Sequence, residues 1–414
     1  MAGTSGAGHF YFSTAFAPLT RQISASLRPN SARLKPCSPV FWRLSHHSRE
    51  LTLSSVEPDL AIYAGPHAYR HIQNHGLHAK DISTLIGSAG GPKALALTGL
   101  DQYLFGDWLN THDEPLWLFG SSIASWRFAC AAQNDPYKAF ADFAQLYIHS
   151  PFMPQSTVAD ITRSTQGMLR TLLGNADAQA AILNHPRYRF AITVARSKGW
   201  ASSRNPRQLG AALLGCMVGN YVHPAIPHWF FERVIVHDTR SPLPIEAKHR
   251  KQARYAALDE HNLFETLAAS TAIPLVIDGV DAAHNWPAGL YRDGGLVDYN
   301  FCALDLEGPG LSLFPHFTQN ISASWFDKYL PRWQKARRPH SLDKLVLLCP
   351  TPRFYQRLNE CKIPSRSDYK RLSDADRRQA WQNSVEQSQR LGEQFAQWVA
   401  TDQLAQRVRP LPFP

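Results

Sequence analysis

Apolar residues are distributed along this chain in short blocks separated by glycine, proline and polar turns, and the blocks alternate with stretches of helical composition. Residues 82–86, 116–119, 189–194, 234–237 and 345–348 are strand-length apolar or alternating runs. Residues 94–100 and 125–132 have the makeup of buried helices. Strands alternating with helices predict an α/β fold with a mostly parallel central sheet and helices on both faces, a three-layer α/β/α arrangement. The ordered region is expected to begin near Leu60, at Ala61-Ile62-Tyr63. Near the C-terminus, Trp381, Val385, Leu391, Phe395 and Trp398 fall on one broad helical stripe behind a Ser373 cap, which predicts a helix packed on the core. Residues 209–219 form the longest weakly polar stretch and predict a buried helix that stops near Gly219-Asn220. An acyl-chain groove or a membrane-facing lid is the alternative reading of that stretch. It is too short for the ~20 residues of a membrane-spanning helix.

Three turns carry candidate chemistry. In the first, Gly120-Ser121-Ser122-Ile123-Ala124 places Ser122 between a strand and a helix, with small residues two before and two after it. Such an elbow exposes a nucleophile beside a helix N-terminus; a serine simply capping the helix is the alternative. In the second, Gly87-Ser88-Ala89-Gly90-Gly91-Pro92-Lys93 also follows a strand and offers backbone N–H groups near a lysine. It is not a nucleotide phosphate loop, because Pro92 has no N–H and Ala94 has no hydroxyl for magnesium. Gly90 and Gly91 are candidates for stabilising an oxyanion. Lys93 either supplies positive potential toward an anionic head group or faces solvent in a first helical turn. In the third, Asp293-Gly294-Gly295 sets a carboxylate before two residues without side chains, which serves either a turn or a base approached closely by another group.

Taken in order with Ala269-Ser270-Thr271-Ala272-Ile273-Pro274, these turns resemble the patatin-like phospholipase family over roughly residues 61–300. The resemblance implies a serine hydrolase of carboxylic ester bonds in lipids. Ser122 would be the nucleophile, Asp293 its partner in a two-residue dyad, and Gly90 and Gly91 part of the oxyanion hole, with neither metal nor cofactor. Ala89 and Ala94 stand where the family's loop often has glycine, which bears on the number of oxyanion amides, and Ala124 is a mild departure from the usual glycine of an elbow that still avoids a large side chain. A carboxylate with a reference pKa of about 3.9 is a weaker base than imidazole at about 6.5, so positioning and oxyanion stabilisation must carry more of the rate. Two readings compete: an α/β-hydrolase triad of Ser122, Asp238 or Asp278, and His284 or His316, and a lipid-binding protein that keeps the fold without turnover. An unperturbed aspartate would separate dyad from triad through the pH profile.

Composition adds organisation. The 414 residues carry a formal net charge of +10, unevenly spread. Residues 1–50 contain six basic residues and one acid, and residues 320–414 contain 17 basic and 9 acidic residues. The expected division is a basic, disordered extension over 1–55, a catalytic domain over 56–319 and a C-terminal extension over 320–414 that packs on the core. The first segment also has the composition of an organelle transit peptide, or of a start placed too far upstream, and lacks the apolar run of a secretory signal. A cytoplasmic location with peripheral membrane contact is expected, or an organellar one if the leader is a transit peptide. The basic surface fits either simple solvation or an anionic membrane, and no nucleic-acid motif accompanies it. Cys37, Cys130, Cys216, Cys302, Cys349 and Cys361 show no C-x-x-C spacing and are expected to be reduced.

Overall fold

The computed structural model describes residues 57–153, 155–301, 304–331 and 342–412. The expectations for residues 1–55 lie outside them. Eleven strands join in one sheet: β1 (Leu60–Ala64), β2 (Ile82–Ile86), β3 (Leu116–Ser121), β4 (Tyr188–Ser197), β5 (Phe231–His237), β6 (Arg254–Ala257), β7 (Val280–Asp281), β8 (Leu290–Arg292), β9 (Leu311–Pro315), β10 (Leu345–Pro350) and β11 (Val408–Pro410). The main path runs β11-β1-β10-β9-β2-β3-β4-β5-β6. Its middle five strands, β10 to β4, are mutually parallel. β1 and β5 run antiparallel to their inner neighbours, and the short β8 pairs with the end of β4 and with β7.

Burial on both sides explains why the inner strands read as nearly continuous apolar runs. Leu116 and Leu118 of β3 face the same side as Leu85, Phe190 and Leu313. Helices Thr98–Gly106, Ile123–Ala131, Pro136–Ile148, Val158–Leu173 and Asp374–Ala400 cover that side, contributing residues such as Phe105, Phe128, Phe140, Leu169 and Phe395. Trp117 and Phe119 face the other side with Ile86, Ala191 and Phe314. This second face is covered by irregular segments carrying Ile245, Phe301 and Leu304, and by the Pro206–Val222 helix, whose Ala212 and Cys216 meet Ala195 and Phe231. The described residues therefore form an α/β fold of three layers around a mostly parallel sheet.

Several details differ from the sequence-based expectation. The described residues beyond 342 contribute to the sheet itself: β10 lies inside it between β1 and β9, and β11 completes an edge. The expected C-terminal helix is present and capped by Ser373, which accepts from Asp376 N–H, with Trp381, Leu391, Phe395 and Trp398 buried and Val385 half-buried. The helix expected to be buried over 209–219 runs Pro206–Val222 and buries only Leu209, Ala212, Cys216 and Asn220. It passes Gly219 because Pro224, not Gly219, ends it. Cys361 is disulfide-bonded, contrary to the expectation of reduced thiols, while Cys130, Cys216 and Cys349 are free and buried. Disulfide pairing depends on a Cα approach of roughly 4.4–6.8 Å, which sequence spacing does not reveal. No helix among the described residues is long and apolar enough to cross a membrane.

Candidate active site

β2 leads to β3 on one side and β9 leads to β10 on the other, so strand order reverses between β2 and β9. The loops at the carboxyl ends of such strands splay apart and leave a crevice. The glycine loop leaves β2 here, and Ser122 follows β3 directly.

Ser122 joins β3 to the Ile123–Ala131 helix with φ 54° and ψ −132°. A non-glycine residue in that region is strained, by roughly 1–3 kcal/mol. Its hydroxyl makes no capping bond to the helix. Instead Ser122 Oγ donates to Asp293 Oδ2 at 2.9 Å. Ser122 N–H donates to Ser270 Oγ at 2.8 Å, and Ser270 Oγ donates to Thr193 O, also at 2.8 Å. One hydroxyl therefore ties the elbow to β4.

Asp293 is held from the other side. Its Oδ1 accepts from Gly295 N–H at 2.7 Å, and its own N–H donates to Ala272 O at 3.0 Å. Gly294 is required by close approach, since a Cβ there would stand 2.0 Å from Thr193 O. Behind the turn, buried Asp298 accepts from Arg233 Nε and Nη2 at 2.7 Å each and from Thr193 Oγ1 at 3.0 Å. Asp298 O also accepts from Ser121 Oγ at 2.5 Å. The acid-bearing loop is thus bonded to β3, β4 and β5 together.

Electrostatics follow from burial. Asp293 is 7 % exposed, and desolvation pushes its pKa up to about 6, against the hydrogen bonds from Gly295 and Ser122 and the positive charges of Arg366 and Lys328. A carboxyl in that range is a far better match to a proton-accepting role near neutral pH than one at the ordinary aspartate value. It also removes the distinction from histidine that an unperturbed aspartate would have provided in a pH profile.

Ser122 and Asp293 border a cavity of roughly 270 Å³. Gly90 and Gly91 line it, and their N–H groups donate to no described residue. Gly91 needs its glycine because φ is +58°, whereas Ala89 N–H is already used by Tyr299 O at 2.9 Å. Lys93 also lines the cavity and is half-buried rather than solvent-facing, with Nζ 4.9 Å from the Phe317 ring centroid. Burial lowers its pKa, helped by the charges of Arg366 and Lys362. Leu213, Ile273, Leu296 and Trp325 supply apolar walls, and Lys328 and Arg366 add two further cations.

The triad alternatives are engaged elsewhere. Asp238 pairs with Arg240 at 2.5 Å, His284 Nδ1 lies 3.1 Å from Asp259, and Asp278 is exposed. His316 is buried, with its Nδ1 against Thr318 O, and burial pushes its pKa down to about 3. None of these four hydrogen-bonds Ser122.

Sequence reasoning quoted Ser270 without giving it a task, and it missed Asp298, Arg233, Lys328 and Arg366. Asp298 sits only five residues beyond Asp293, but nothing local marks its partner 65 residues upstream. The two cations were part of a diffuse basic excess with no pattern pointing inward.

Fold and site together define a three-layer α/β protein with a serine elbow and a facing carboxylate at the carboxyl edge of its sheet. The chain matches no family model and no curated protein. Among solved structures it is similar to human GIVD cytosolic phospholipase A2, with TM-score 0.34 and 10% identity, covering 82% of this chain and 65% of that one. It is also similar to VipD from Legionella pneumophila, with TM-score 0.30 and 11% identity, covering 84% of this chain and 71% of that one.

Proposed function

We propose that this protein is a serine hydrolase that cleaves carboxylic ester bonds of lipids through Ser122 and Asp293, as the motif resemblance to patatin-like phospholipases implies. The observation that carries the reading is the 2.9 Å hydrogen bond from Ser122 Oγ to a buried Asp293 carboxylate at a cavity edge. In the proposed reaction Asp293 accepts the Ser122 proton as Oγ attacks the ester carbonyl. Gly90 and Gly91 N–H groups stabilise the resulting oxyanion, and the alcohol leaves carrying the proton back from Asp293. Water then attacks the acyl-Ser122 ester, giving up a proton to Asp293, which returns it to Ser122 Oγ as the acid is released. The mixed lining supports a substrate with an apolar acyl chain and an anionic group, the latter facing Lys93, Lys328 and Arg366.

The test is release of p-nitrophenol from short- and long-chain acyl esters, together with labelling by a fluorophosphonate. Ser122→Ala should lose both signals, and Asp293→Asn should lose turnover by about 10³-fold or more. A folded wild type that neither turns over nor labels would leave a lipid-binding protein as the remaining reading.

A further inference from the structure

Among the described residues eight large hydrophobic side chains are exposed, and six of them crowd into one region: Trp200, Leu214, Val218, Tyr221, Val222 and Trp229. Leu214, Val218, Tyr221 and Val222 recur at helical spacing along one face of Pro206–Val222. Trp200 and Trp229 stand on the turns Gly199–Ser202 and Pro227–Phe230, which pack against the helix. Trp200, Val222 and Trp229 are 66 %, 75 % and 71 % exposed, far beyond what scattered surface residues need.

The charge around this face leans positive, although Arg204 is paired with Asp281 at 2.8 Å. Residues 198–231 contain Lys198, Arg204 and Arg207 and no aspartate or glutamate. Glu232, at the margin, is outnumbered by Arg196, Lys198 and Arg254 at 2.9, 3.7 and 3.5 Å. Apolar residues together with two exposed tryptophans and a surplus of cations match the interface of an anionic bilayer, where indole sits at head-group level and Lys or Arg meets acidic lipid. The same helix reaches the cavity: Leu213, next to Leu214, lines the space beside Ser122.

We infer that the outer face of Pro206–Val222, with Trp200 and Trp229, is a docking surface for anionic phospholipid membranes. It rests on the lipid-hydrolase reading only for its purpose, which is to seat the cavity mouth on the bilayer. The docking face lies outside the catalytic constellation, so the two can fail separately.

The experiment is co-sedimentation of the full chain with vesicles of phosphatidylcholine alone and of phosphatidylcholine mixed with phosphatidylserine, over rising salt, with turnover of a soluble short-chain ester in parallel. Wild type should bind the mixed vesicles more tightly, and salt should weaken that binding. The double variant Leu214→Glu/Val218→Glu should bind on the order of tenfold or more weakly, since each change removes an apolar contact and adds a repelled charge, while its Tm and soluble-ester turnover hold. Trp229→Ala, a milder change, should weaken binding in the same direction. Wild type that stays in the supernatant, or a double variant that binds equally, overturns the inference. So does a wild-type dimer that the double variant dissolves without vesicle binding, since the patch would then be a self-association face. Vesicle binding without soluble-ester turnover would sink the hydrolase reading and leave the docking surface standing; turnover without vesicle binding would do the reverse.

Discussion

Ser270 Oγ accepts from the backbone N–H of Ser122 at 2.8 Å while donating to Thr193 O at 2.8 Å. The strained elbow is thereby anchored to β4 through its own amide. Replacing Ser270 with Ala leaves that buried N–H and a carbonyl without their partner, at a cost of about 1–3 kcal/mol. The expected result is a lower Tm and a fall in kcat larger than any change in KM, because the proposed nucleophile would be misplaced rather than the substrate. Unchanged kcat in a folded Ser270→Ala protein would remove the anchoring role.

Burial of Asp293 predicts opposite pH effects on rate and stability. Turnover should rise with pH through about 6, where the carboxyl ionises. Because the folded-state pKa lies above the unfolded value, the native state holds the proton more tightly, so stability falls as pH rises from about 4 to about 6. Above that the full penalty applies, roughly 3 kcal/mol for a carboxyl moved from about 4 to about 6. Asp293→Asn should therefore lower the rate by about 10³-fold or more and gain unfolding free energy relative to wild type at pH 8 compared with pH 4. Urea unfolding at both pH values measures it, and an equal offset at both would contradict the shift.

Ser122 has φ 54°, a conformation that costs a residue with a Cβ and spares glycine. Ser122→Gly should be more stable than Ser122→Ala by about 1 kcal/mol, with both inactive. A thermal melt of the two variants decides this, and an equal or lower Tm for the glycine variant would argue against strain at the elbow.

The cations at the cavity predict selectivity. Arg366 lies on the surface beside the mouth, so its contribution is screened. Arg366→Ala should raise KM for an ester bearing a phosphate or carboxylate by roughly three- to tenfold and leave a neutral ester nearly unaffected. Equal effects on both substrates would show that the charge does not read the ligand.

Arg233 and Asp298 are 3 % and 1 % exposed and satisfy one another in bidentate fashion. Removing one partner strands a buried charge, so Arg233→Met should destabilise by about 3–5 kcal/mol, measured by urea unfolding. Loss of activity should accompany it, because Asp298 holds the loop that carries Asp293. A loss below about 1 kcal/mol would mean that water replaces the guanidinium.

What the sequence determined by itself is local. Leu116–Ser121 is apolar on both faces and ends in small residues, so a buried strand turning sharply into a helix could be read there, as could β2 and the inner part of β4. The Ser373 cap and the spacing of Trp381, Leu391, Phe395 and Trp398 likewise dictated a helix and its buried face. These depend on backbone preference and periodicity, which a short window contains. Tertiary structure decided what depends on distant partners. β11 escaped notice because it is three residues long, and β9 because its run sits between Gly310 and Pro315 with no clear pattern; each becomes a strand by pairing with neighbours far along the chain. Ser122 and Asp293 are 171 residues apart, and their 2.9 Å approach is set by the Arg233–Asp298 pair and the Ser270 bridge. The carboxyl's raised pKa exists only because the fold removes water from it. The same apolar composition that suggested a buried helix over 209–219 left a face in solvent, since composition states that a helix is greasy but not which side the sheet has room to cover.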